Sequence, residues 1–443
     1  MTSTPSRITT ALAATALSAM SATAAAQTAP ATDSAPIALK ATHLFDSATG
    51  ALRANGVIVV QGQKIIAAGS NASIPAGAKV IDLGDATLIA GFIDSHTHVT
   101  DEFNPNYYRG VYDGLMKFPS EKALYAERWA RRTLDAGFTT VRNVGASDYV
   151  DVGLRNAINA DVTIGPRILT AVHAIGSTGG HCDANPYPPA NVAPVGPISG
   201  VCNGPEQCRE AVRQQMKYGA DVIKICASGG VLSEADPVDV PQLTPAELSA
   251  IIGEAHTWKR KVAAHAHGDL SARLAIEAGI DSIEHGTFLT ESTLKLMKQK
   301  GVYLVPTRMA VYWVNKSADT YPPQIAAKAR AAWAAHETMF KTALKVGTPI
   351  AFGTDAGVFP HGQNAMEFAL MTELGMSPTA ALLAGTREAA KLLGVDAEVG
   401  TLEPGKIADV VAVPGDVLAN IHATEHPILV MSKGRIIVQK TGN

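Results

Sequence analysis

The sequence contains few charged and few aromatic residues. Charged residues make up 17% of the 443 positions and aromatic residues 5%, whereas hydrophobic residues reach 47%. A chain this apolar is globular rather than disordered. The formal net charge is only -3 and the basic residues are scattered, so the concentrated positive charge of nucleic-acid-binding proteins is missing. We therefore expect a small-molecule substrate, and neither a nucleic acid nor a membrane as partner.

The apolar part of the N-terminus is too short to span a bilayer, which takes roughly 20 residues. Residues 1–26 have one basic residue, Arg7, followed by an Ala/Leu-rich stretch and by small residues up to Ala26. This order is typical of a secretory signal peptide. We expect an exported protein, periplasmic or secreted, whose mature chain begins near Gln27 with a disordered lead-in. A buried amphipathic helix is the alternative, but the stretch lacks a charged face.

Cysteine is scarce, with four residues in the chain and no CxxC spacing. The missing spacing argues against a zinc site made of thiolates. Cys182, Cys202 and Cys208 lie in one Pro/Gly-rich region, where an oxidising compartment favours a disulfide whose pairing the sequence does not determine. Cys226 lies in an apolar strand, so we expect it to be a small buried apolar residue.

Short apolar runs alternate with segments of helical spacing along most of the chain. One such helix begins at Thr244, with Pro245 in its first turn and Glu247 completing a capping box. Eight strands that alternate with helices predict the α/β class and a closed (β/α)8 TIM barrel. A doubly wound open sheet is the alternative, but it would carry a glycine-rich phosphate loop after its first strand, and none is found. The eight runs span residues 87–98, 139–145, 167–172, 221–230, 261–268, 281–286, 302–307 and 349–355.

The two flanks of this repeat look different from it. A chain of this length can hold one large domain and a smaller one. Residues 37–90 and 398–440 read as short strands and turns, and residues 91–397 form the predicted barrel. The simplest arrangement joins both flanks in one small β-sandwich beside the barrel.

Polar side chains interrupt the apolar runs near their C-terminal ends. In "GFIDSHTHV", residues 91–99, the side chains of His96 and His98 point to the same face of the strand. In a parallel barrel the C-terminal strand ends meet at one mouth, where such enzymes have their active sites. Each polar group would cost about 1 to 3 kcal/mol if it were buried without a partner, so a shared role in one site is favoured. The residues are His96, His98, Lys224, His265, His267, His285 and Asp355.

Several segments together resemble the amidohydrolase superfamily. "FIDSHTH", "VIKICASGG", "AAHAHG", "SIEHG" and "AFGTDAG" follow in that order over most of the chain. The segments "STGGH", "GTDAGVFPHGQNAMEF" and "VGTLEPGKIADVVAV" are similar to a branch with imidazolonepropionase-like proteins and Xaa-Pro dipeptidases (prolidases). That branch also contains bacterial ochratoxin-degrading amidohydrolases.

The resemblance implies a site with two divalent metal ions. In it His96 and His98 bind the more buried ion, His265 and His285 bind the second, and carboxylated Lys224 bridges both. Asp355 binds metal and moves protons. His181 and His267 match positions near the substrate, and the loop after Lys224, with Val231, is where substrate selection should differ. Imidazoles and carboxylates suit zinc, although cobalt or manganese remain open.

The predicted reaction is hydrolysis of an amide. A water molecule shared by two metal ions has its pKa lowered from 15.7 to about 7, which supplies a bridging hydroxide at neutral pH. Asp355 would take its proton and pass it to the leaving amine. A site with a net charge of about plus one would attract small substrates with a carboxylate, such as Xaa-Pro dipeptides, N-acyl amino acids and, as a further substrate, ochratoxin A.

Two alternatives to this function remain at this stage. One is a cyclic-amide or lactone hydrolase of the imidazolonepropionase type, which export disfavours because histidine breakdown is cytosolic. The other is an exported metal-binding protein without catalysis, against which Asp355 argues, because catalysis needs this residue more than binding does. The resemblance further implies a homo-oligomer.

Overall fold

The structure is a computed structural model that describes residues 35–183, 195–234 and 236–440. The predicted signal peptide and the lead-in up to residue 34 lie outside the described residues. The strands are β1 (Ile37–Asp46), β2 (Ala51–Gln61), β3 (Lys64–Ser70), β4 (Lys79–Asp82), β5 (Ala86–Ala90), β6 (Phe92–Thr97), β7 (Phe138–Asn143), β8 (Arg167–Thr170), β9 (Ile223–Cys226), β10 (Val262–Ala266), β11 (Ser282–His285), β12 (Tyr303–Val305), β13 (Val410–Pro414), β14 (Leu429–Ser432) and β15 (Arg435–Gln439).

Helices lie between most of the strands. A π-helix at Ala384–Glu388 joins the last two α-helices, and short 3-10 helices lie at Pro197–Ser199, Ala318–Thr320 and Ile421–Glu425. In the described part of the chain, no helix is both long and apolar enough to cross a membrane. The α-helices are α1 (Tyr107–Met116), α2 (Pro119–Asp135), α3 (Val150–Asn159), α4 (Pro205–Lys217), α5 (Pro245–Thr257), α6 (Asp269–Glu277), α7 (Glu291–Lys300), α8 (Arg308–Lys316), α9 (Pro323–Val346), α10 (Met366–Glu373), α11 (Pro378–Leu383) and α12 (Ala389–Leu393).

Both flanks of the chain join one mixed sheet of eight strands. Its order is β15-β14-β13-β5-β1-β2-β3, with β4 paired to β1, so the second flank attaches to the first through the antiparallel pair β13 and β5. The sheet curls, because the Ile65 amide donates to the Lys406 carbonyl at 3.0 Å and the Ala408 amide to the Gln63 carbonyl at 2.9 Å. Apolar side chains of both flanks share one buried cluster. Because these contacts are long-range, neither flank could bury its apolar face alone.

The central part of the chain forms two parallel sheets, β6-β7-β8 and β12-β11-β10-β9. Ile175 links them on one side, since it accepts from the Cys226 amide at 2.9 Å and donates to the Lys224 carbonyl at 2.8 Å. On the other side, Phe352 accepts from the Ser95 amide at 2.9 Å, and the neighbouring residue Ala351 donates to the Leu304 carbonyl at 3.0 Å. The strand ends of both sheets therefore face a common centre.

Seven of the eight predicted strands of this region are present, but residues 349–355 are not assigned as a strand. This segment makes only single bridges, from Ile350 to Leu304 and from Ala356 to Thr97. Its chain passes close to β6 at Gly353, where an added Cβ would lie 3.0 Å from His96 Cβ. At Asp355 the backbone turns to a φ of 64°, which ends any extended conformation.

The helix predicted at Thr244 is confirmed as α5. The Thr244 side chain accepts from the Glu247 amide while the Glu247 carboxylate accepts from the Thr244 amide, which completes the capping box. A capping box satisfies two amide groups that a helix start otherwise leaves without partners. This helix follows the loop after β9 and so fixes where that loop ends.

Candidate active site

A cavity of about 280 Å³ lies at the C-terminal ends of the central strands. The nine residues predicted from the sequence for metal binding, catalysis or substrate contact all line it, and their individual roles remain predictions. They come from seven different segments, which the chain brings together by folding. These residues are His96, His98, His181, Lys224, Val231, His265, His267, His285 and Asp355.

His96 is fixed from behind by a buried carboxylate. Its Nδ1 lies 2.7 Å from Oε2 of Glu284, whose other oxygen accepts from the Arg142 guanidinium at 2.8 Å. Both of these charged side chains are almost completely buried. Because the carboxylate accepts at Nδ1, the lone pair of Nε2 faces the cavity, 3.4 Å from Lys224 Nζ and 3.4 Å from Asp355 Oδ1.

Hydroxyl groups orient two of the other histidines in the same way. His285 Nδ1 lies 2.7 Å from Thr307 Oγ1, and His267 Nδ1 lies 2.8 Å from Thr287 Oγ1. The second ring nitrogen, Nε2, is then left for the cavity in both residues. A side chain that is held at one nitrogen presents the other in a defined direction, which is what a metal ligand requires.

The backbone at two site residues departs from the usual conformations. His285 has a φ of 69° and Asp355 a φ of 64°, in the left-handed region that residues other than glycine rarely adopt. In a regular strand, His285 would point away from the face that Glu284 occupies. The turn at each strand end instead directs both side chains into the cavity, so the chain maintains local strain at these two positions.

Burial shifts the pKa of every ionisable side chain that lines the cavity. It lowers the pKa of His267 to about 3 and that of His98 to about 4, so both imidazoles are neutral at pH 7. It also lowers the pKa of Lys224 to about 8 and raises the pKa of Asp355 to about 6. The site therefore offers neutral nitrogen donors and a carboxyl group that exchanges its proton near neutral pH.

The donor atoms of the cavity fit divalent metal ions. His265, His267 and His285 form one group of ligand atoms within 4.8 Å of one another, and His96, His285 and Asp355 form another. Zinc is held by imidazole nitrogens and carboxylate oxygens at about 2.0 to 2.2 Å, so three donors this close can converge on one ion. His285 belongs to both groups, which places the two candidate positions side by side.

Known proteins are similar to this chain over most of its length. A sequence profile of the amidohydrolase family matches residues 87–437. The chain belongs to the amidohydrolase family. Members of this family typically depend on two metal ions, and their similarity implies a TIM-barrel fold of the α/β class. This amidohydrolase is thus a metal-binding hydrolase that acts on carbon–nitrogen bonds.

Three relatives indicate the branch of the family. The ochratoxinase of Aspergillus niger is 31% identical over 417 residues, which cover 89% of this chain and 85% of the relative. The imidazolonepropionase of Cutibacterium acnes is 25% identical over 373 residues, with coverages of 81% and 83%. The crystal structure of a Xaa-Pro dipeptidase with bound methionine in its active site has a TM-score of 0.86 and 37% identity, and covers 91% of this chain and 99% of its own. These relatives confirm the predicted branch.

One side of the cavity of this amidohydrolase is apolar. We call this set of residues the apolar wall. Side chains from α8 and α9 contribute most of it, together with the loop that follows β9. Above the metal-ligand candidates, the ring of His181 stacks on His265 with a centroid distance of 4.3 Å. The apolar wall consists of Val231, Leu232, Ala310, Val311, Val314, Ala329, Ala332 and Val358.

The prediction of Cys226 as a small buried apolar residue is confirmed for its burial and wrong for its role. Cys226 is buried, but it forms a disulfide with Cys182, and both residues line the cavity. The disulfide expected within the Pro/Gly-rich region also forms, between Cys202 and Cys208. Cys226 ends β9, where the segment that carries His181 passes close to it. The sequence could not reveal this proximity, because it depends on how the segment after β8 returns to β9.

Sequence reasoning missed the residues that support the metal-ligand candidates. Glu284 immediately precedes His285 in "SIEHG", and a carboxylate in a buried strand was a usable signal. Its partners His96 and Arg142 are distant in sequence, so their pairing depends on the fold. The sequences of α8 and α9 contain no pattern that points to the cavity. Their contribution to the apolar wall could therefore not be predicted.

Proposed function

We propose that this amidohydrolase hydrolyses amide or peptide bonds of small substrates that bear a carboxylate. One observation carries the proposal: a buried group of neutral imidazoles and one carboxyl group shares a cavity with the apolar wall. Two of the relatives, a Xaa-Pro dipeptidase and an ochratoxinase, support substrates such as Xaa-Pro dipeptides, N-acyl amino acids and ochratoxin A.

We assign the metal sites to imidazoles that line the cavity and to Asp355, with zinc as the metal. His96, His98 and Asp355 would hold the more buried ion, and His265 and His285 the second. When bound, such ions acidify water and polarise a carbonyl oxygen. Lys224 would bridge them as a carbamate, because an ammonium that faces two cations is strongly disfavoured.

Asp355 is the proton carrier in this proposal. Its Oδ1 lies 3.4 Å from His96 Nε2 and 3.3 Å from His98 Nε2, at the centre of the cluster. A carboxylate there can accept the proton of an attacking water molecule and later donate it to the leaving nitrogen.

The apolar wall would bind the hydrocarbon part of the substrate. Among the described residues that line the cavity there is no arginine, and Lys224 is the one lysine. The substrate carboxylate would therefore depend on the positive charge of the ions and on the imidazoles of His181 and His267. An aromatic or branched side chain would gain about 25 cal/mol for each square ångström that it buries against the wall.

Further features of the whole protein belong to the same proposal. We infer a closed eight-part barrel, with the curled flank sheet as a β-sandwich, since hydrogen bonds link the two central sheets on both sides. We also propose export through the N-terminal signal peptide and assembly into a homo-oligomer. Protein fractionation of expressing cells and light scattering of the purified protein would test these two points.

A substrate screen tests the proposed reaction. The zinc-loaded protein is incubated with dipeptides, N-acyl amino acids and cyclic amides or lactones, with Asp355→Asn as the inactive control. We expect release of amine from Xaa-Pro dipeptides or N-acyl amino acids. Turnover of cyclic substrates alone would favour the imidazolonepropionase-type alternative, and binding of zinc without any hydrolysis would favour a protein that only binds metal.

Carboxylation of Lys224 has its own test. Reconstitution with zinc in buffer depleted of carbon dioxide should leave the protein metal-poor, and added bicarbonate should restore its metal content. The variant Lys224→Ala should stay metal-poor under both conditions. Full metal content and activity without Lys224 would contradict the bridging role.

A further inference from the structure

The loop that follows β9, residues 229–234, forms the part of the apolar wall next to β9. It contains no helix or strand. Its residues Val231 and Leu232 line the cavity and pack against Val314 of α8 and Ala329 of α9. Such a loop keeps one conformation only if its backbone carbonyl groups find hydrogen-bond partners. The residues that supply those partners therefore decide the shape of the wall.

Lys328, on α9, binds two of these carbonyl groups and a third one just after the loop. Its ammonium donates to the carbonyl oxygen of Gly230 at 3.1 Å and to that of Ser233 at 2.8 Å, and it also donates to the carbonyl of Asp236. The Lys328 side chain is only 16% exposed. An ammonium has three N–H donors, and the carbonyl groups of Gly230, Ser233 and Asp236 take up all three.

The opposite side of the loop contacts His181. Ser233 Oγ lies 2.5 Å from His181 Nδ1. At Gly230 the backbone approaches the ring so closely that an added Cβ would lie 2.1 Å from His181 Cε1. Because His181 stacks on His265, a shift of the loop would displace a ring above the candidate metal ligands.

We propose that Lys328 is a positioning residue for substrate selection: its ammonium fastens the 229–234 loop against α9 and thereby sets the shape of the apolar wall. The inference rests on the proposed function, since the molecule selected is the amide substrate. The hydrogen bonds of Lys328 reach none of the metal-ligand candidates, and the loop meets them at its first residue, Gly229, whose carbonyl oxygen lies 3.1 Å from His265 Nε2. Loss of Lys328 should therefore affect substrate binding far more than the chemical step.

The variant Lys328→Met, of similar length, tests the proposal against the control Lys341→Met. Lys341 lies on the same helix, and its ammonium binds Glu337 at the surface at 2.7 Å. With an N-acyl-phenylalanine as substrate, we expect Lys328→Met to raise KM by about tenfold, the scale of a few lost apolar contacts, with kcat within about threefold. KM for the matching N-acyl-alanine should change less, because its small side chain reaches less of the wall.

Amide hydrogen exchange gives a second measurement that needs no substrate. Residues 229–234 should exchange faster in Lys328→Met than in the wild type and in Lys341→Met, while β9 and β10 stay unchanged. Unchanged exchange, or equal losses for both substrates, would overturn the proposal. If Lys328→Met does not fold, Ser233→Ala, which removes the link to His181, should show the same selective rise in KM, and a failure to do so also counts against it.

The two proposals can fail separately. A wild-type enzyme that hydrolyses neither substrate overturns the proposed function. The exchange comparison still supports or overturns the fastening of the loop by Lys328, because it is made without substrate.

Discussion

The cavity has two sides that are built differently. The histidine cluster, which comprises His96, His98, His265, His267 and His285 with Lys224 and Asp355, lies on strand ends. Hydrogen bonds with Glu284, Thr287 and Thr307 hold three of its rings. The apolar wall lies mostly on two helices and a loop, where apolar side chains such as Val231, Leu232 and Val314 pack together, and Lys328 holds the loop through its backbone carbonyl groups.

Because of this difference, we expect the histidine cluster to govern the chemical step and the apolar wall to govern the choice of substrate. Parallel strands that share hydrogen bonds cannot shift singly, so groups at their ends keep distances of 3 to 4 Å that a metal site requires. Helices and loops can repack at modest cost, because apolar contacts have no fixed direction. Changes in the cluster should therefore abolish activity, whereas changes in the wall should alter which substrate is preferred.

Loss of His285 should have the largest effect, because this residue belongs to both groups of donor atoms. We expect His285→Ala to reduce kcat/KM by about a thousandfold or more, since metal assistance is worth several kcal/mol and about 1.4 kcal/mol corresponds to a factor of ten. Bound zinc, measured by mass spectrometry, should fall as well. His336→Ala is the matched control, as His336 is completely buried but lies outside the cavity. Equal zinc content in both variants would contradict the assignment.

Glu284 tests how much the cluster depends on the groups behind it. In Glu284→Gln, one amide group cannot accept from both His96 and Arg142, and the Arg142 guanidinium is left buried without a counter-charge. We expect zinc affinity to fall by about 10- to 100-fold and the free energy of unfolding to fall by about 3 to 5 kcal/mol. Zinc titration and urea denaturation measure the two effects.

The surface pair of Glu337 and Lys341 provides the control for this prediction. Glu337→Gln removes the same charge where water screens it, so the free energy of unfolding should change far less than in Glu284→Gln. If Glu284→Gln binds zinc like the wild type, then its carboxylate does not hold His96 in place for the metal.

The sequence was informative where strand ends carry polar residues. His96, Lys224, His265, His285 and Asp355 could be placed together in advance, because parallel strands bring their C-terminal ends to one mouth. Short strands in both flanks were also predicted, and the structure joins them in one mixed sheet. These features depend on local patterns that repeat along the chain.

Other features depend on contacts that no local pattern encodes. The eighth predicted strand is reduced to single bridges at Ile350 and Ala356, and the chain turns at Asp355. The partner of Cys182 and the carbonyl groups bound by Lys328 depend on where long segments return. Such pairings become visible only when the whole chain has folded.

The two disulfides allow a direct comparison between the cavity and a site away from it. Removal of the Cys182–Cys226 bridge, which spans 44 residues, should cost about 4 kcal/mol of stability by the chain-entropy relation, whereas removal of Cys202–Cys208, which spans 6, should cost about 2 kcal/mol. Double alanine variants, followed by thermal denaturation, measure this difference. Only the first pair lines the cavity, so only its loss should raise KM. Equal kinetic effects would show that the position of Cys182 beside His181 is unimportant.

The smallest effect is expected in the apolar wall itself. Val311→Ala removes two methyl groups from α8, and at about 0.8 kcal/mol for each buried carbon the affinity for a substrate with a large apolar side chain should fall by about tenfold. The value of kcat should change little, because Val311 takes no part in the hydrogen bonds that orient the histidine cluster. Val162→Ala is the matched control, since Val162 is 79% exposed. A drop in kcat at unchanged KM would mean that the wall takes part in the chemical step and that the two sides of the cavity are not separate.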